Sequence, residues 1–260
     1  MSFRHVAFSA LTIDDRRAFR HVAVVEALEE HLRTVGYDFL VAPAGSRSAG
    51  WSRVLFLNLT YWNAAAPVDV LIDDHIASDV VSHVAWHDLA RRALPAKPSA
   101  DALFLGEAIA SAFDLYLVGR LLGHSPDSQF LTTQIPAMLD AALDAGATED
   151  EFEAMLASVA GDPERAFEDL RALLFDAANV LVRAPGVEAA AAALEALSGH
   201  RFIALLHHYE LSNWILYARA YAAEALEPDP DVRAVDRALR DAPVSLDWLE
   251  SHWLRASAPA

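Results

Sequence analysis

Two imidazoles stand four residues apart, His83 and His87, in the stretch SHVAWHDLAR at 82–91. On a helix turning about 100° per residue, that spacing puts both rings on one face, one turn apart. Neutral imidazoles so placed can share a metal ion through ring nitrogens at about 2.0–2.1 Å. The competing reading is a pair of core histidines bonded to backbone or carboxylates, because a buried imidazole left without partners costs about a kilocalorie or more. His75 and Asp79 extend the four-residue ladder, which drifts by about 40° per step, so all four side chains cannot reach one ion. Asp79 is placed to orient an imidazole or to act as a base, His75 to lie at the edge or in solvent, and Asp88 to be solvated.

A partner carboxylate lies in GEAIASAFDLYLVG, where Glu107, Ala110, Ser111 and Asp114 fall along one helical face. Acids in an otherwise apolar helix need a cation or metal, since an unpaired buried charge is expensive. As a first-turn carboxylate favoured by the helix dipole, Glu107 would be explained but Asp114, midway along, would not. A further cluster, LLHHYELSNW, places His207, His208 and Glu210 near Tyr209 and Trp214. If helical, His207 and Glu210 share a face and His208 points about 100° away. Either histidine is a candidate general acid–base, transition-state donor or further ligand, or a member of an aromatic core. A dinuclear bundle site is disfavoured because the full Glu-x-x-His pair is absent.

His83-x-x-x-His87 followed twenty residues later by Glu107 resembles the zinc site of the gluzincin, thermolysin-like metallopeptidases. There one helix supplies two histidines and the next supplies a glutamate within a run similar to NEAxxD. The resemblance covers about residues 80–118. It implies His83, His87 and Glu107 as ligands, with Asp114 or Ser111 beside them. It departs at one decisive position: HExxH reads HVAWH, and Val84 stands where a glutamate would activate the metal-bound water. A ligand set of two histidines and one carboxylate fits catalytic zinc, and it also fits the facial triad of non-haem iron(II) enzymes.

The elements that must carry these residues are mostly helical. Pro67 at a first helical position and Pro95 beyond the end predict a helix over 67–94. Ile72, Ile76, Val80 and Val84 form its core stripe, with His83 and His87 inside the stripe, facing a dry interior. A second helix is expected over 101–123, with His124 capping its C-terminus. Others are expected over 14–35, 129–145, 148–160, 163–182 and 187–198, followed by a long buried helix from His200 to Leu226 and a short one over 232–240. FLVAP and VLFLNLTYW suggest a short strand or hairpin region near 37–63, the second segment being equally readable as a buried helix. Trp51, Tyr61, Trp62 and Trp86 line a pocket or fill a core. The expected class is mainly α, one helical domain over 1–260.

Composition sets the outer limits. The chain has 260 residues, 20 basic against 37 acidic side chains, a net charge of −17 and no cysteine. Nucleic acid and anionic membrane surfaces require clustered Lys and Arg and are not expected as partners. Disulfides, thiolate metal sites and cysteine nucleophiles are excluded. No signal-peptide core or transmembrane run is read from the sequence, so a cytoplasmic location is expected. The function expected is that of a metal-dependent enzyme with a mononuclear His83–His87–Glu107 site binding zinc or iron(II). It would act on a small organic substrate by Lewis-acid or hydrolytic chemistry, with His207, His208 or Asp79 as base. The alternatives are a non-haem iron(II) oxygenase using the same ligands, and a catalytically inactive metallopeptidase-like binding or scaffold protein.

Overall fold

The structure is a computed structural model that describes residues 3–42, 69–95, 99–221 and 226–256. Among these the architecture is mainly α, as the sequence predicts, with eleven α-helices and five short strands. The chain forms two compact units, residues 1–85 with 258–260, and residues 86–257. The division falls within one helix, Ser78–Ala93, which runs through it unbroken.

The first unit carries the strands. β1 (Arg4–Ala7) pairs antiparallel with β3 (Asp38–Val41), which pairs in parallel with β4 (Val70–Leu71). β2 (Thr12–Asp14) pairs in parallel with β5 (His75–Ala77). The helix expected over 14–35 is broken into α1 (Arg16–Phe19) and α2 (Ala23–Thr34), with Asp15 at φ 57 ahead of the first. Gly36 at φ 62 ends α2, a left-handed conformation that favours glycine, and the chain turns directly into β3. Leu28 and Leu32 of α2 pack into a core with Phe8, Phe19 and Phe39, all at most 2% exposed. β3 fulfils the expectation of a strand at FLVAP; VLFLNLTYW, with Trp51, Tyr61 and Trp62, lies outside the described residues, as does Pro67.

The expected helix over 67–94 begins only at Ser78, as α3 (Ser78–Ala93). The alternating β-branched residues ahead of it are recruited as β4 and β5 instead, and the Asp73 carboxylate accepts the His75 backbone N–H at 3.1 Å in the turn between them. Tertiary pairing with β2 and β3 outweighs local helix propensity there. Ile76 therefore sits buried on a strand, and Val80 is only half-buried.

The second unit is built around α4 (Ala100–Leu122), whose 23 residues match the expected 101–123 closely. Ser99 caps it by accepting the Ala102 N–H. α4 is long and apolar enough to cross a membrane by length and composition, and 78% of its most apolar window is buried within the protein. It packs most extensively against α7 (Pro163–Arg183), and also against α5 (Gln129–Asp144) and α6 (Glu149–Gly161). These helices start close to where the sequence places them, each behind a polar cap: Ser128 for α5, a Thr148–Glu151 capping box for α6, and Asp162 followed by Pro163 for α7.

α8 (Val187–Glu195) ends earlier than expected. The long helix expected from His200 does not form. Residues 203–205 make a single 3-10 turn, Glu210 takes φ 47, and α9 (Leu211–Tyr221) starts only after it. α10 (Pro230–Asp241) extends the short helix expected at 232–240, and α11 (Ser245–Leu249) follows.

A buried ionic node ties three of these helices together. Asp101, fully buried in the first turn of α4, accepts from Arg233 Nε at 2.6 Å, Arg183 Nη2 at 3.0 Å and the Asp229 N–H at 3.0 Å. Burial by itself would raise its pKa, but the hydrogen bonds from Arg233, Arg183 and Asp229 outweigh it and hold the carboxyl below its ordinary range.

Candidate metal centre

His83 and His87 lie one turn apart on α3, a rise of about 6 Å. Between them Trp86 is wholly buried, its ring edge-on to Phe113 of α4 at 5.5 Å between centroids. Leu89 and Ala90 are buried further along the same helix. Trp86 is thus core. Glu107 comes from the second turn of α4, and its Oε2 lies 3.5 Å from His87 Nε2. One donor atom each from His83, His87 and Glu107 lie within 4.8 Å of one another, the one such His and carboxylate group among the described residues that could hold a metal ion.

Two donors bound tetrahedrally at about 2.0–2.1 Å are separated by about 3.3–3.4 Å. The His87–Glu107 separation is close to that value as it stands, and His83 offers a donor atom within 4.8 Å of both. The interior is not dry: the side chains of His87 and Glu107 are 19% and 15% exposed, and His83 is half-buried. The expectation that the histidines sit inside the core stripe does not hold: His83 and His87 lie on the least buried stripe of α3, with Asp79, Val80 and Arg91, while Val81, Val84, Trp86 and Leu89 form its buried side.

The other residues singled out in the sequence are distributed differently. His75 is on β5, its Nδ1 3.0 Å from Asp14 Oδ1 and its side chain 55% exposed, away from the trio as expected. Asp79 is half-buried in the first turn of α3, one turn before His83, and is not among the grouped donors. Val84 is buried and apolar, so the position following the first histidine supplies no proton acceptor.

The expectation that Asp88 is solvated is wrong. It is 2% exposed, and its carboxylate accepts from Arg91 and, at 2.5 Å, from Arg92 Nε. The exposed arginines fold back over the helix to supply the charge that permits its burial.

His207 and His208 are in turns, so the helical reasoning that paired His207 with Glu210 does not apply. His207 is exposed. His208 is half-buried and edge-on to Tyr209 at 4.9 Å. Burial lowers its pKa, opposed in part by Asp114, a hydrogen bond with the Ala137 backbone, and Glu210. Burial also pushes the Tyr209 phenol up, and Asp114 adds to that effect. Asp114 thus acts on His208 and Tyr209, a juxtaposition with no local sequence signal because the residues are far apart in the chain. Ser111 is buried between Glu107 and Asp114 on α4. His124 is exposed past α4, and its backbone N–H closes the helix end on Leu121 O at 2.9 Å.

No protein-family model matches the chain, and no curated protein or solved structure matches it either. The gluzincin resemblance therefore rests on the motif alone, and what stands is a His83–His87–Glu107 group that could hold a metal ion.

Proposed function

We propose that the protein is a metal-dependent enzyme. His83, His87 and Glu107 hold one divalent cation, and the open side of the ion acts on a small organic substrate as a Lewis acid or by activating water. The observation that supports this is the convergence of three donor atoms from α3 and α4 within 4.8 Å, two of them already 3.5 Å apart. Three protein ligands leave positions open to water or substrate, the arrangement of catalytic and not structural zinc. Partial exposure of the trio gives substrate a route to it. Because Val84 offers no base, the water would be deprotonated by lowering of its pKa on the ion or by another group; half-buried Asp79, one turn before His83, is the nearest nominee along the helix. A location in the cytoplasm is part of the same reading and is supported only by composition.

The test is turnover of activated esters and amides by the metal-stripped full chain before and after one equivalent of zinc. Hydrolysis that appears with zinc and disappears in Glu107→Ala supports the reading. Turnover only with iron(II) and oxygen would replace it with oxygenase chemistry on the same ligands. A protein that binds no metal and is inert with both would overturn it in favour of a binding or scaffold role.

A further inference from the structure

Gly106 precedes Glu107 within α4, is buried, and faces α3. A Cβ added there would lie 3.5 Å from Ala90 Cβ and 4.0 Å from His87 Nδ1. Both are ordinary van der Waals distances, so a methyl group fits there, and a side chain extending further toward α3 meets Ala90 and the His87 ring. A glycine inside a helix is itself unfavourable by about 0.5–1 kcal/mol relative to alanine, so helix propensity does not account for it.

The tolerance there is small. Two atoms bound to one ion at about 2.0–2.1 Å cannot be more than about 4.2 Å apart, even on opposite sides of it. His87 Nε2 and Glu107 Oε2 are at 3.5 Å. A movement of less than an ångström, with side-chain conformations kept, exhausts the margin. A side chain longer than methyl at 106 must either part the helices or push the His87 ring aside. Both displace a donor.

We propose that the small size of residues 90 and 106 sets the donor separation of this centre, making Gly106 a positioning residue for His87 and Glu107. The inference rests on the metal-binding reading above. It concerns which residue sets the geometry, and not which residues bind.

The experiment uses the full chain and calorimetric titration with zinc, alongside the visible spectrum of the cobalt(II)-loaded protein. Gly106→Ala is expected to keep the zinc Kd within about threefold, since its methyl meets only ordinary contacts, while raising the Tm of the metal-free protein. Gly106→Leu is expected to weaken zinc by about 10–100-fold or more and to shift the cobalt bands, as loss of a ligand-orienting contact does. Adding Ala90→Gly to the leucine variant is expected to recover at least about tenfold of that loss by returning space across the same contact. If leucine prevents folding, Gly106→Val with and without Ala90→Gly gives the same comparison. A folded leucine or valine variant with wild-type affinity and spectrum overturns the proposal, and so does failure of Ala90→Gly to restore either. Absence of zinc binding by the wild type would refute the metal reading itself, which separates the two failures.

Discussion

Replacing Glu107 by glutamine removes one charge from the trio while keeping its shape. In the metal-free protein the change is small, because the His87–Glu107 pair is partly exposed at 3.5 Å, and such pairs contribute about 0–1 kcal/mol. With metal the effect is large. Complete four-ligand zinc sites bind with about 10–16 kcal/mol, or roughly 2.5–4 kcal/mol per ligand. Loss of the single anionic donor should therefore weaken zinc by about 10²–10³-fold. At free zinc 100 times the wild-type Kd, the wild type gains about 2.7 kcal/mol of stability from binding. A variant weakened about 100-fold gains only about 0.4 kcal/mol under the same conditions. The difference of about 2.3 kcal/mol corresponds to roughly 5–9 °C in Tm for a unit of this size. Thermal melts with and without zinc read it directly. The wild type should show the larger zinc-dependent shift and Glu107→Gln little of it. Equal shifts in the two proteins would refute the assignment of Glu107 as a ligand.

Asp101→Asn should destabilise the protein by about 3–5 kcal/mol in urea unfolding, because it leaves Arg183 and Arg233 without their shared carboxylate. The pH dependence follows from the lowered folded-state pKa of Asp101. Its stabilisation is fully present above the unfolded value of about 3.9 and is lost as pH falls through the lower folded value, so wild-type stability should drop below about pH 4. The Asn variant should lack that part of the acid loss, and identical acid limbs would contradict the account of the node. His75→Ala, by contrast, should change stability by less than about 0.5 kcal/mol and leave zinc affinity unaltered, since His75 is exposed and faces Asp14.

The helices with local punctuation were legible from sequence to within a few residues. Ser99, Ser128, Thr148 and Asp162 cap helices whose ranges the apolar periodicity places within a few residues, and α4, expected as a mostly apolar helix, is buried along most of its length. The failures lie where a distant partner decides. Residues 70–77 have a helix-compatible apolar spacing, yet β2 and β3 capture them as strands. Residues 200–210 have no glycine or proline after Gly199, yet they fold into turns ahead of Glu210 at positive φ. Asp101 reads locally as an ordinary first-turn carboxylate, while its arginine partners are 82 and 132 residues away. Asp88 was misread because the two arginines that cover it occupy the solvent side of its own helix. The trio was legible because two of its members are fixed by helical spacing alone. Its partial exposure was not, since the helix start that sets the core stripe was displaced from 67 to 78.

The central claim is that His83, His87 and Glu107 bind one ion together, and the most direct measurement is a calorimetric titration of the metal-stripped full chain with zinc, repeated on His83→Ala. The account predicts one equivalent bound by the wild type and no stoichiometric binding by the variant. Retention of one full equivalent at unchanged affinity in His83→Ala, or no binding by the wild type, would contradict it.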